Sequence, residues 1–252
     1  AANTYRSGVT EPSSVDQTRP DQAEAFKIEA KAGAAGGLIG SATGNVTLLG
    51  CAASVYVEAQ SFAGGLAAKV NTPDNGVAQV LIQNCYVDAT DDAICLKSHS
   101  ADAICQNIEV RNNTACSSAS GIKFGTASTG GFKNIKIINN TVFDTFRSAI
   151  TIQAVDGGLV ENVIVDSLRS INTGNPIYLV VGERREGRRS RMDNVHISNV
   201  YAEVPATKPD AGYEYEGPTE DNPRNISPSG IVGLKDNKIT NVSIENVEIV
   251  YP

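Results

Sequence analysis

The chain has 252 residues, 41% of them hydrophobic, with 23 Gly, no Trp and a formal net charge of −7. That acidic balance argues against nucleic acid as a general partner, and no run of about 18 apolar residues marks a membrane-spanning helix. No leader pattern is present and the start Ala1-Ala2-Asn3-Thr4 reads as that of a mature or trimmed chain; a secreted or periplasmic location is a separate expectation.

Residues 1–40 are polar, then Ala- and Gly-rich, and show no repeat. They are expected to form an irregular arm or cap, with a trace of helical periodicity only at 22–35. From there on one unit returns, a short apolar strand ending in Asn. A weak copy starts at Asn45, and fuller copies are Gln79-Val80-Leu81-Ile82-Gln83-Asn84, Asn107-Ile108-Glu109-Val110-Arg111-Asn112 and Asn134-Ile135-Lys136-Ile137-Ile138-Asn139. Asn162-Val163-Ile164-Val165-Asp166-Ser167, Asn194-Val195-His196-Ile197-Ser198-Asn199 and Asn241-Val242-Ser243-Ile244-Glu245-Asn246 continue the series. The starts at 79, 107, 134, 162 and 194 are 28, 27, 28 and 32 residues apart, which means a stacked array.

Inside each unit Val and Ile alternate with polar residues at period two, so the units are strands. Short strands separated by Gly, Asn, Ser and Thr suit the rungs of an all-β, right-handed parallel β-helix over residues 41–252. The Asn at strand ends (84, 112, 139, 199 and 246) fits a ladder of stacked amides at one corner. N-glycosylation, suggested by patterns such as Asn45-Val-Thr and Asn241-Val-Ser, is the competing explanation. A Pro-, Glu- and Tyr-rich excursion at 205–228 leaves the stack, either to wall a cleft or to brace the side, before a last rung at 239–251. The five Cys (51, 85, 95, 105 and 116) lack zinc-ligand spacing. One bridge among Cys85, Cys95 and Cys105 and small buried thiols are both open. His99 and His196 are too few and too far apart for a His-based metal site. No metal, no cofactor and a monomer are expected.

The chemistry concentrates in Asp91-Asp92-Ala93-Ile94-Cys95-Leu96-Lys97-Ser98. This segment resembles the Asp-Asp motif of the polygalacturonase-like family 28 glycoside hydrolases. Further similarity runs through Ser120-Gly121-Ile122-Lys123-Phe124-Gly125, Gly157-Gly158-Leu159-Val160-Glu161-Asn162-Val163, Asn175-Pro176-Ile177-Tyr178 and Ser227-Pro228-Ser229-Gly230-Ile231-Val232-Gly233, spanning roughly 70–252. The resemblance implies a β-helix that hydrolyses galacturonan-type polysaccharide with inversion, with Asp91 as acid. Asp92 would hold the water together with a third Asp. Asp74, in Asn71-Thr72-Pro73-Asp74, is its candidate, although Pro interrupts the family's Asn-Thr-Asp. One protonated carboxyl and one carboxylate about 6.5–9.5 Å apart are what inversion needs.

Setting Ile94, Ile122, Ile150 and Ile177 in register places Asp92 over Ser120, Ser148 and Asn175. Cys95 then lies over Lys123, Thr151 and Tyr178, and Lys97 over Gly125, Gln153 and Val180. The family's His falls on Ser120, and its Arg and Lys fall on Thr151 and Gln153. Lys97, Lys123 and Arg147 would have to supply the cationic character that an acidic sugar wants. Arg184, first of five Arg ending at Arg191, is the best candidate in an anion-binding loop, against a solvated loop neutralised by Glu183 and Glu186. Two other functions stay open: a noncatalytic glycan-binding β-helix or fragment, and a β-helical lyase using Ca²⁺ on Asp88, Asp91 and Asp92.

Overall fold

Each repeat unit buries one face of a strand only four or five residues long, so no unit can hide its Val and Ile side chains alone. Stacking solves this. The computed structural model describes residues 27–30, 34–36, 39, 41–51, 56–59, 62–64, 67, 70–71, 79–89, 91–206 and 229–252. The protein is an all-β parallel solenoid, and among the described residues there is no helix.

Three columns of parallel strands run the length of the stack. The first face begins with Val46–Leu49 and Val80–Gln83, continues through Cys105–Arg111, Phe132–Ala154, Leu159–Val181 and Arg191–Glu203, and ends at Thr240–Val250. Its register aligns Val46, Val80, Ile108, Ile135, Val163, Val195 and Val242. Two residues on, Leu48, Ile82, Val110, Ile137, Val165, Ile197 and Ile244 form the second inward row. The six residues from Ile135 to Ile197 in these rows are essentially inaccessible, whereas Ile244 on the last rung is 40% exposed. The second face stacks Tyr86–Ala89 on Thr114–Ser117 and on the middle of Phe132–Ala154. The third face stacks Ile94–Ser98, Ile122–Ser128, residues 150–154 and 177–181, and Gly230–Val232. Two of the strands, Phe132–Ala154 and Leu159–Val181, pass through the corners without losing their pairing, apart from one register shift between Thr145 and Ser148.

The corners are made by Asn. Eleven of the thirteen non-glycine residues with positive φ among those described are Asn, including 84, 112, 139, 199 and 246. Asn tolerates the left-handed region because its short amide bonds locally. Here the amides also stack. Asn134 Nδ2 donates to Asn107 Oδ1 (3.2 Å), Asn162 to Asn134 (3.0 Å) and Asn194 to Asn162 (2.7 Å). At the next corner Asn139 donates to Asn112 (2.9 Å) and Asn246 to Asn199 (2.6 Å). The recurrent Asn is therefore a structural ladder, and its positions need no glycan to account for them.

The stack starts earlier than the sequence pattern. Lys27–Ala30 pairs in parallel with Tyr56–Ala59, Ala34–Gly36 with Phe62–Gly64, and Ala42 with Val70. The offsets, 29, 28 and 28 residues, are those of the rungs. Ala34–Gly36, which is all Ala and Gly, carries no period-two signal, and the trace of helical periodicity at 22–35 overlaps it and Lys27–Ala30. The five cysteines are free thiols, so no bridge joins Cys85, Cys95 and Cys105. Residues 1–26, Asp74 and residues 207–228 of the excursion lie outside the described residues.

The solenoid predicts an unequal response along one row. Ile137→Ala should cost about 2–5 kcal/mol, the usual range for emptying a tight core site. The same change at Ile244, half open at the end of the row, should cost less than half as much. Urea denaturation midpoints of the two variants test this, and equal losses would contradict the register.

Candidate functional site

The third face carries most of the residues singled out from the sequence. Its strands begin in register because Ala93 and Ile94 donate their N–H groups to the carbonyls of Ser120 and Gly121 (both 2.9 Å), and Gly121 donates to Ser148 (2.9 Å). Gly121 is required by packing, since a Cβ there would meet Val142 Cγ1 at 2.4 Å. The pairing Ile94–Ile122–Ile150–Ile177 puts Cys95, Lys123, Thr151 and Tyr178 in one outward column, followed by Gly230. Ser148 stands beside Asn175 in the column that Asp92 and Ser120 begin. Between Leu96 and Ser98 the register shifts at a bulge, so Lys97 has no one-to-one partner in the next rung, whereas Gln153 pairs with Val180.

Asp91 and Asp92 are adjacent but differ in environment. Asp91 is exposed; its Oδ1 accepts the N–H of Asp92 (2.7 Å), and its carbonyl accepts the Ser117 hydroxyl (2.6 Å). Asp92 is turned inward, with its side chain 5% exposed. Its Oδ1 accepts Ser120 N–H at 3.2 Å and its Oδ2 meets Lys123 Nζ at 2.8 Å. Lys123 is itself nearly buried, so this is a desolvated ion pair, and removing either partner would leave an uncompensated charge.

Cys95 lies beneath the group. Its Sγ is 3.7 Å from Asp92 Oδ2 and 3.3 Å from the Gly125 carbonyl. Burial, then the Asp92 charge, pushes the thiol up to about 12, with Lys97 and Lys123 opposing and Asp91 adding to the rise. The thiol is a neutral spacer and offers no thiolate nucleophile. Four of the seven charged groups expected at the site, Asp91, Asp92, Lys97 and Lys123, therefore act on one sulfur atom.

The remaining expected residues spread outward from there. Ser120 (2% exposed) and Thr151 (3%) are buried floor residues, Gln153 and Tyr178 are half-buried beside them, and Lys97 is exposed. Arg147 is half-buried at the corner leading into the third face, where its N–H bonds the Ala119 carbonyl (2.8 Å). Arg184 is at the other end of the face, and its guanidinium is engaged. Nε donates to Asp156 Oδ1 (2.7 Å) and Nη2 to Asp156 Oδ2 (2.6 Å). Arg185 Nε is 3.8 Å from the same Oδ1, and Ser128 N–H donates to Oδ2 (3.2 Å). Burial pushes the Asp156 carboxyl up, but the Arg184 hydrogen bonds, the Ser128 N–H and the charges of both Arg outweigh it, leaving the group below the usual carboxylate range.

Asp156 was not singled out from the sequence, although a signal existed: Asp156 and Arg184 are 28 residues apart, one rung. Among the described residues, no three His, Cys, Asp or Glu side chains come together in a way that would hold a metal ion. Asp88 stands on the second face, in register with Cys116.

Compared with protein-family models, curated proteins and solved structures, the chain finds no match. It is a parallel β-solenoid, a fold common to hydrolases, lyases and binding proteins.

The Arg184–Asp156 pair carries a stability prediction. Arg184→Gln strands a carboxylate that has no exposed side-chain surface and should cost about 3–5 kcal/mol. Arg185→Gln, which removes a long, half-exposed contact, should cost under about 1 kcal/mol. Because the folded carboxyl is depressed, the pair stabilises fully above the ordinary Asp value of about 4. That contribution is lost as pH falls through the folded value. The gap between wild type and Arg184→Gln should therefore narrow in acid, measured by denaturation at neutral pH and below pH 4.

Proposed function

We propose that the protein is a glycoside hydrolase that cleaves an acidic, pectin-like polysaccharide by an inverting two-carboxylate mechanism, with the third face as the floor of its cleft. The observation that carries this reading is an exposed carboxylate, Asp91, set directly beside the buried Asp92–Lys123 ion pair at the start of one face. A fold does not choose a chemistry, so the argument rests on these residues. Asp91, open to solvent, donates a proton to the leaving oxygen. Asp92, fixed by Ser120 N–H and Lys123, presents an oriented negative charge that helps hold the attacking water. Inversion needs a carboxylate on the far side of the sugar, about 6.5–9.5 Å from the acid, and Asp74 is the candidate for it. Lys97 and the cationic end of the face offset the charge of the acidic sugars. The work of such an enzyme lies outside the cytoplasm, secreted or periplasmic, with a monomer sufficient for it.

One observation favours a second reading, glycan binding without turnover. Both Asp92 oxygens already have partners, and the family's His, Arg and Lys are replaced by Ser120, Thr151 and Gln153. A single experiment separates the two. Purified protein is offered oligogalacturonates, and both reducing ends and binding are measured. The hydrolase reading expects reducing ends without the ultraviolet absorbance of an unsaturated product. It also expects Asp91→Asn to lower turnover by about 10²–10⁴-fold with binding retained, since the change removes a proton donor at nearly constant shape. Binding with no turnover in the wild type selects the second reading. An unsaturated product would replace both with a lyase.

A further inference from the structure

The far end of the third face holds a second polar group built on a different plan. Asp156 has no exposed side-chain surface, yet two arginines reach it. A guanidinium carries five N–H donors. Arg184 directs two of them to Asp156, and half of its side chain remains open to solvent. Arg185, 54% exposed, leans on the same carboxylate without closing a hydrogen bond. The buried Asp thus braces one guanidinium and collects a second while most of their donors face outward. A side chain already immobilised loses little further freedom when it grips a ligand.

Two more groups complete the patch. Lys97 is exposed at the end of Ile94–Ser98, between Leu96 and a Ser98 that stands in register with Ser128, whose N–H bonds Asp156, and His99 follows Ser98. Of the two acids expected to neutralise the loop, Glu186 is exposed and Glu183 is directed elsewhere, accepting Gly187 N–H (2.8 Å) and meeting Arg189 at 3.6 Å. Lys97, Arg184 and Arg185 against Asp156 therefore leave a local excess of positive charge on a chain whose net charge is −7. Asp92 lies two residues before the strand Ile94–Ser98 and Lys97 near its end, five positions on, a separation of at most about 16 Å at strand spacing. That is the reach of several sugar units.

We infer that Arg184, Arg185 and Lys97, braced by Asp156, form an oxyanion subsite that receives a carboxylate or sulfate of the same glycan that crosses Asp91. The inference rests on the glycan reading of the third face and gives that face a second anchor. Carboxylate and sulfate share the chemistry of a planar or tetrahedral oxyanion on a guanidinium fork, and the choice between them is left to measurement.

The test is isothermal titration of wild type, Arg185→Gln, Lys97→Gln and the double variant with three probes: an oligogalacturonate, its methyl ester, and a sulfated galactan oligosaccharide of equal length. Both positions are exposed, so the variants keep the fold, which circular dichroism checks. Arg184 is left intact because its loss strands Asp156. The double variant should bind at least one acidic probe about tenfold more weakly, as expected when charge-assisted hydrogen bonds are removed. The methyl ester should bind wild type weakly and be indifferent to both changes. The probe that shows the loss identifies the oxyanion. Wild-type affinity of the double variant for both acidic probes overturns the subsite, and if turnover persists the hydrolase reading survives it. Weakened binding in a protein that never turns over leaves the subsite standing and removes the hydrolase. If neither acidic probe binds wild type, both fall.

Discussion

Everything in this molecule depends on one constraint, that each rung must repeat the register of the one before. A parallel strand one rung away sits about 4.8 Å distant, and a slip of one residue would turn Val and Ile outward along a whole face. The chain enforces the register at the corners rather than within the strands. Left-handed Asn residues turn the backbone at the same place in successive rungs, and their amides bond from rung to rung. Where a corner is buried the bonding is denser. Asn113, 2% exposed, accepts the Cys85 N–H and donates to both Asn140 Oδ1 and the Ile82 carbonyl. The apolar core then needs no elaborate interdigitation, because like residues stack on like.

The same constraint explains what places the candidate site. Side chains on one outward column have no freedom to choose neighbours, as their neighbours are the residues one rung up and down. Asp92 finds Ser120 and Lys123 above it for this reason, and Asp156 finds Arg184. Both buried acids are met by a base from the next rung. The two differ in what remains open. At the Asp92 end the base is buried with the acid and the exposed group is a carboxylate, Asp91; at the Asp156 end the exposed groups are guanidiniums. The face is thus polarised, acidic where it begins and basic where it ends.

Much of this was legible in the sequence, because the rung period converts residue number into height. The alignment of Ile94, Ile122, Ile150 and Ile177, and the Asn corners, follow directly from it. The ion pair between Lys123 and Asp92 was less accessible. Lys123 is in register with Cys95, and a long side chain reaches back past that partner to the acid. Arg184 was expected either to bind an anion or to be neutralised by Glu183 and Glu186, because its actual partner, in Val155-Asp156-Gly157-Gly158, looks like an ordinary turn acid. The strand Ala34–Gly36 was illegible for a simpler reason: Ala and Gly leave no alternation to read.

The amide ladders have a direction. At the first corner each Nδ2 donates to the Oδ1 of the preceding rung, from Asn194 to Asn162 to Asn134 to Asn107. Three carboxylates occupy acceptor positions in such ladders, Asp144 beneath Asn172, Asp166 beneath Asn199 and Asp193 beneath Asn241. The hydrogen bonds they accept, from Ser198 and Asn199 on Asp166 and from Thr240 and Asn241 on Asp193, hold both carboxyls below the usual range. Ageing by deamidation would therefore act on one side only. An Asn134 converted to Asp would keep the bond it receives from Asn162. It would lose the one it gives to Asn107 and set two oxygens against each other at that step. Chemical wear in this solenoid loosens each damaged rung from the one that precedes it in the chain.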